Sequence, residues 1–305
     1  MNKKTTVIGT LINQKQLIYM SLPLVLYIIL FAYVPLWGWT MAFQNFRPER
    51  SFTQQEWVGF GKFMFLFTDP GFMRVLRNTL AMSLINMVLG YVTAIGLALL
   101  LNELRNIGFK RIVQTVSYLP HFLSWVIVTG LVSSVLEETG VVNSILLGLG
   151  LTKTSIQFLA EPNYFWGIIG ATYVWKEVGW NTIIYLAAIA GIDPNLYEAA
   201  EIDGCNRFHK MWFITLPGIK ATIVILLIMS IGRILDAGFE MQYLLMRGST
   251  MDVAETIDIF VLRYGIQSDD FSLATAAGMF KNVVNVSLIF LANWLAKRMG
   301  EERLV

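Results

Sequence analysis

The chain has 305 residues, 55% of them hydrophobic and only 14% charged, with a formal net charge of +2. That is too apolar for an ordinary soluble domain and too nearly neutral for a nucleic-acid binder. Cys205 is the only cysteine, which excludes an internal disulfide, and the two histidines give no zinc pattern.

A helix that crosses a bilayer needs roughly 20 apolar residues. Six runs approach or exceed that length, at about 17–38, 79–101, 112–136, 164–190, 218–238 and 273–296. The predicted fold is an all-α membrane protein of six transmembrane helices. The longest connector, 39–78, leaves no room for a separate soluble domain, so residues 1–305 read as a single membrane domain. The first run is longer than a signal-peptide core and no small-residue cleavage pattern follows it, so it is expected to be retained.

Six spans put both termini on one side, and the excess of Lys and Arg selects the cytoplasm for them. One side carries Lys3, Lys4, Lys15, Arg105, Lys110, Arg111, Arg207, Lys210, Lys220, Lys297, Arg298 and Arg303. The other carries Arg47, Arg50, Lys62, Arg74, Arg77, Lys153, Arg247 and Arg263, five of them in the single long loop where the rule is weakest. On the outer side, turn signals at Thr139-Gly140 and Gly148-Leu149-Gly150 bracket Val141 to Leu147, which is too short to span and reads as a surface helix. The segment Glu240 to Asp270 reads either as a cover over the pore mouth or as a solvated connector.

Between the fourth and fifth apolar runs lies a mixed-charge island, residues 193–217, that includes EAAEIDGCNRFHKMWFITLP. Asp193-Pro194 is a helix start, because Asp can cap free amides and Pro fits the first turn. A short helix to about Asp203 follows, with Leu196, Ala199 and Ala200 on one face and Glu198 and Glu201 on another. Gly204 supplies the stop through a left-handed conformation. Asp203, at the negative end of that helix, suits a cap for a second short helix, Cys205 to Phe213, or a partner for an external cation. Leu216-Pro217 is expected to end that second helix. Such a knob suits insertion into a groove on another protein, although an interfacial linker with Trp212 and Phe213 among headgroups has the same composition.

Glu198, Ala199, Ala200, Gly204, Ile214, Leu216 and Pro217 fill the pattern Glu-Ala-Ala, three residues, Gly, nine residues, Ile, one residue, Leu-Pro. It resembles the EAA loop of permease subunits in binding-protein-dependent ABC importers. The stretches WKEVGWNTIIYLAAIAGIDPNLYEAAEIDG (175–204), YLPHF (118–122), ITLPGIKATIVILLI (214–228) and FSLATAAGMFKNVVN (271–285) are similar to LplB-type oligosaccharide permeases of the carbohydrate-uptake group. Position 205 is Cys where that family more often has Ala. The resemblance implies a multi-pass subunit of the bacterial cytoplasmic membrane, set in lipid and paired with a second homologous permease. An extracellular solute-binding protein would deliver an oligosaccharide, and two cytoplasmic ATPase subunits would use ATP and Mg. It also implies that Glu198, Ala199, Ala200, Asp203, Gly204, Ile214, Leu216 and Pro217 form the ATPase-coupling loop.

No catalytic site and no bound cofactor or metal is expected in the chain itself. Gly59-Phe60-Gly61-Lys62-Phe63 lacks the glycine spacing and the hydroxyl after Lys that a phosphate-cradling loop requires. Polar residues inside spans are costly and face the bundle interior. The fourth run offers Trp175, Lys176, Glu177, Trp180, Asn181 and Tyr185; the fifth offers Arg233, Asp236 and Glu240; the sixth offers Lys281, Asn282 and Asn285. Aromatic platforms beside hydrogen-bonding groups suit a sugar, so these are the candidate cargo contacts. Against this, Lys176, Glu177 and Trp180 also suit a membrane boundary, and Arg233 and Asp236, three apart, suit mutual neutralisation. His121 after Pro120 reads as a helix-start or kink feature rather than a proton carrier. Another solute, such as a peptide, fits the coupling loop equally well. An ion-coupled secondary transporter would need inverted repeats and deep acids, neither of which stands out.

Overall fold

The computed structural model describes residues 14–298. Lys3, Lys4 and Arg303 lie outside this range. The described chain is almost wholly helical, and four stretches are long and apolar enough to cross a bilayer: Lys15–Phe43, Pro70–Glu103, Trp125–Gly148, which is itself Trp125–Leu136 and Val141–Gly148 with a break at 137–140, and Phe271–Arg298. A fifth joins them if Arg207–Gly218 and Lys220–Ile231, bent by 57° at Ile219, act as one. Pro162–Ala190 has 29 residues, ample length to span, but Lys176 and Glu177 at its middle dilute its apolar character.

The Pro70–Glu103 and Pro162–Ala190 helices form the most extensive pair in the bundle. Small residues allow it. A Cβ on Gly170 would lie 2.7 Å from Ile85 Cγ2, and Thr182 Oγ1 donates to the Ala94 carbonyl across the contact at 3.2 Å. With lipid as solvent there is little hydrophobic drive between helices, so close backbone approach and interhelical hydrogen bonds carry the association.

Two expected helices and one connector differ in form. The run 112–136 is two helices, Ile107–Tyr118 and Trp125–Leu136, separated by the 3-10 turn Leu119–Phe122 and an extended Leu123. Pro120 lacks the N–H for a continuing helix, and Ser124 Oγ, accepting from Ile127 N at 3.3 Å, restarts the chain in a new direction. The run 218–238 is helical only over Lys220–Ile231. Beyond Ile231 the chain turns, Gly238 takes φ +95°, and Asn285 Oδ1 accepts the buried Leu235 N–H at 3.2 Å. The connector 39–78 holds a two-residue antiparallel pairing, Gln44–Asn45 with Glu56–Trp57, a small departure from all-α.

At that same end of the bundle, Val141–Gly148 is a short helix as expected, tied down by buried Asn143, whose amide donates to the carbonyls of Glu137 and Ile156. Glu240 to Asp270 is no solvated connector. Its helices Glu240–Leu245, Met251–Ala254 and Ile257–Leu262 bury Met241, Gln242, Leu245, Ile257 and Phe260 against the two long helices and Phe271–Arg298. Glu255 is buried there with its Oε1 3.0 Å from Arg263 Nη2. Burial pushes the Glu255 carboxyl above its ordinary range, against the pull of Arg263 and Arg74.

Candidate functional site

A cavity of about 680 Å³ opens beside the two long helices, with one side exposed. Ser83, Asn86, Met87, Gly90 and Tyr91 recur at three- and four-residue steps on Pro70–Glu103, and so form one stripe. Tyr173, Asn181 and Tyr185 face them from Pro162–Ala190, and Trp125 begins the outer half of the broken helix. Ser230, Arg233 and Asp236 come from the end of Lys220–Ile231 and its turn, and Phe239, Glu240 and Gln242 from the segment that follows. Non-helical backbone at this depth is tolerated because it lines a cavity.

Gly90 sets the width of this cavity: a Cβ there would lie 3.1 Å from Tyr173 Cε1. Tyr91 Oη and Ser230 Oγ are 2.9 Å apart, linking two walls. Ser83 Oγ, Asn86 Oδ1 and Gln242 Oε1 are buried without a hydrogen-bond partner among the described residues, which leaves hydrogen-bonding capacity in the wall. The surface therefore offers aromatic faces, amides, hydroxyls, one guanidinium and the carboxylates of Asp236 and Glu240, a set that can stack on sugar rings and bond their hydroxyls.

At the other end of the bundle Pro162–Ala190 leads through Gly191 into the short helix Pro194–Ile202, capped by Asp193 Oδ1 on Asn195 N at 3.0 Å. Gly204 has φ +77°, and the bonds Cys205 N to Ala200 O (2.8 Å) and Gly204 N to Glu201 O (3.1 Å) complete a Schellman stop. Asn206, not Asp203, caps the next helix, its Oδ1 accepting from His209 N at 2.9 Å. Asn206 directly precedes the first helical residue, Arg207, whereas Asp203 is the C-cap of the first helix, Pro194–Ile202.

Leu216-Pro217 does not stop that second helix, which runs to Gly218. A π turn over Met211–Thr215, in which Leu216 N–H reaches back to Met211 O, widens the backbone enough to take the proline ring. Lys210 Nζ meets Glu201 Oε1 at 2.5 Å, and Tyr197 Oη meets Thr215 Oγ1 at 2.9 Å, so the two short helices are bound into one knob. The Lys210 ammonium holds the Glu201 carboxyl below its ordinary range. Ile202 projects 87% exposed, and Leu196, Phe208 and Phe213 are exposed around it.

Residues 86–301 match the family described as the binding-protein-dependent transport system inner membrane component. The chain belongs to this family. It is a membrane transport permease, from a family of transport components and not of enzymes. It is 46% identical over 98% of its length to the polygalacturonan/rhamnogalacturonan transport system permease protein YteP of Bacillus subtilis, covering 93% of that protein. It is 42% identical over 96% of its length to protein LplB of the same organism, covering 92% of it. A solved bacterial ABC transporter involved in import of the acidic polysaccharide alginate superposes with TM-score 0.89 at 38% identity, over 96% of this chain and 98% of that one. A second structure of the alginate transporter, in complex with an alginate pentasaccharide-bound periplasmic protein, gives TM-score 0.88.

Of the residues singled out in the sequence, Asn181, Tyr185, Arg233, Asp236 and Glu240 line the cavity of this permease. Arg233 and Asp236 do not neutralise each other. Lys281 Nζ takes Asp236 and Asp258 at 2.6 Å each, and Arg233 makes no ion pair with any described residue. Asn285 serves the Leu235 backbone, while Asn282 and Trp175 face away from the cavity and are exposed. Lys176 and Glu177 lie mid-helix, not at a boundary, and contact His121 of the break instead of the cavity, with Trp180 stacked on the same imidazole. The kink expected at His121 is present in the Leu119–Phe122 turn.

Sequence reasoning missed Ser83, Asn86, Tyr91, Trp125, Tyr173, Ser230, Phe239 and Gln242. The signal for the first three was there, a polar stripe at helical spacing within an apolar run.

Proposed function

We propose that this permease is the membrane-spanning subunit of an ATP-driven importer whose cargo is an acidic oligosaccharide. The whole chain works as one membrane domain of six crossings: Lys15–Phe43, Pro70–Glu103, the 107–136 pair, Pro162–Ala190, the bent helix ending at Ile231, and Phe271–Arg298. The 193–217 knob then lies between the fourth and fifth crossings at the cytoplasmic face, and both termini are cytoplasmic. The cavity open on one side carries the reading: aromatic faces, amides and Arg233, which has no ion-pair partner among the described residues, suit a hydroxyl-rich, anionic chain, while Lys281 neutralises Asp236. The relatives named for polygalacturonan and for alginate support the same cargo class.

A second homologous permease completes the open side of the cavity, and a solute-binding protein loads it from outside. Two ATPase subunits seat the knob in a groove, with Ile202 entering it, Ala199 and Ala200 allowing close approach and Glu198 meeting a cation. ATP and Mg act in those partners, and this chain holds no cofactor. Alternating access follows if closure of the ATPases moves the knob and the rigid Pro162–Ala190 helix that carries both it and the cavity wall.

The test is uptake of a labelled oligogalacturonide trisaccharide by cells with the partner ATPase intact or inactivated. Uptake lost with the ATPase supports the proposal. Accumulation that persists and follows an ion gradient overturns it in favour of a secondary transporter.

A further inference from the structure

Lys176 is 5% exposed in the middle of a bundle helix, and its ammonium is not directed into the cavity. It donates to the His121 carbonyl at 2.8 Å, an acceptor released by the break in the neighbouring helix, and to Glu177 Oε1 at 3.0 Å. Glu177 Oε2 takes His121 Nδ1 at 2.7 Å, so two adjacent residues hold one residue of the break by both its backbone and its ring. The imidazole is stacked on Trp180 with centroids 4.3 Å apart and planes 3° apart. The Lys176 ammonium also lies 4.9 Å from the centroid of Trp125, four residues past His121 and part of the cavity wall.

A buried ion pair is weak evidence for stability, since an apolar pair of the same volume often packs as well. What charges add here is direction. Two hydrogen bonds, one ring stack and one cation–π contact converge on residues 121–125, where the chain's own tie is the short 3-10 turn, with Leu123 N donating to Pro120 O at 3.1 Å. Without them the outer helix Trp125–Leu136 would be aimed only by its own packing.

We propose that Lys176 and Glu177 are positioning residues that fix the break and hold the Trp125 ring at the cavity wall. Trp125 thereby follows the Pro162–Ala190 helix, which also leads to the coupling knob. The inference rests on the reading of the cavity as the cargo site.

The test uses the full importer with its binding protein in proteoliposomes and an oligogalacturonide trisaccharide as probe. The readout is the ratio of cargo-stimulated to cargo-free ATP hydrolysis, which a purely structural role would not change. Lys176→Met alone leaves a buried carboxylate and risks misfolding, so Lys176→Met with Glu177→Gln, which leaves no orphan charge, is the main variant. It should lower the stimulation about tenfold, Trp125→Phe should do the same, and the triple variant should fall no further than Trp125→Phe. Wild-type stimulation in the double variant, or losses that multiply in the triple, overturns the clamp. Asn181→Ala, a cavity residue away from the break, separates the two readings. If it loses stimulation while the double variant does not, only the clamp fails; if neither loses it, the cavity reading fails and takes the clamp with it.

Discussion

Replacement of Gly204 tests the knob most directly. Its φ of +77° is left-handed, and a Cβ built there meets nothing within 4 Å, so a substitution acts through backbone conformation alone and not through a clash. Ala in that region costs about 1 kcal/mol, Asn roughly half of that or less, and a β-branched Val about 2 kcal/mol or more. At a factor of ten per 1.4 kcal/mol, the population of the bent knob relative to an unbent one falls about fivefold for Ala and about thirtyfold for Val. The Lys210–Glu201 link and the Schellman bonds remain available in each variant, so the order of effects should be Asn, then Ala, then Val. The assay is cargo moved per ATP hydrolysed by the reconstituted importer, with membrane insertion measured separately. Gly204→Val is expected to insert normally and to hydrolyse ATP without proportionate uptake. Wild-type uptake by Gly204→Val, or equal losses for Asn and Val, refutes the reasoning.

Gly179→Ala should destabilise strongly, by about 3 kcal/mol, because its Cβ would press on the Ser117 backbone, which cannot rotate away. Gly167→Ala, with nothing within 4 Å, should leave the melting temperature in detergent unchanged or raise it, and equal effects at both sites would refute this packing. Asn285→Ala leaves the buried Leu235 N–H without its acceptor and should cost about 1–3 kcal/mol, read as a lower unfolding temperature together with weaker cargo-stimulated hydrolysis. Glu255, with a raised folded pKa, contributes stability that is present below the ordinary carboxylate range and lost as pH rises through the folded value. Glu255→Gln should therefore gain stability over wild type at neutral pH, and the gap should close on acidification; a gap that widens at low pH contradicts the assignment. Glu201, with a depressed pKa, behaves in the opposite sense: its link to Lys210 should hold above the ordinary range and open as pH falls through the lowered value, seen as smaller amide protection factors around Arg207–Lys210.

Local chemistry determined much of this permease from sequence alone. Apolar length announced membrane helices, and Asp193-Pro194 and Gly204 announced a capped helix ended by a left-handed residue, because each signal is complete within a few residues. The Asn206 cap is equally local: Asp203 carries the same capping chemistry, but only Asn206 directly precedes the second helix. Pro120 marked a kink but not the separation of two helices, since that depends on Ser124 restarting the chain and on what Pro162–Ala190 offers to the freed carbonyl.

Which charges pair was decided only by the tertiary structure. Arg233 and Asp236, three residues apart, look like partners in sequence, yet Lys281 from a distant helix takes the aspartate and leaves the guanidinium to the cavity. Lys176 and Glu177 look like pathway residues, yet the helix rotation turns them onto the break at His121. Spacing along a chain gives the face of a helix, but the neighbour of that face comes from packing between elements far apart in sequence, where close approach at residues such as Gly90 and Gly170 sets which polar groups meet.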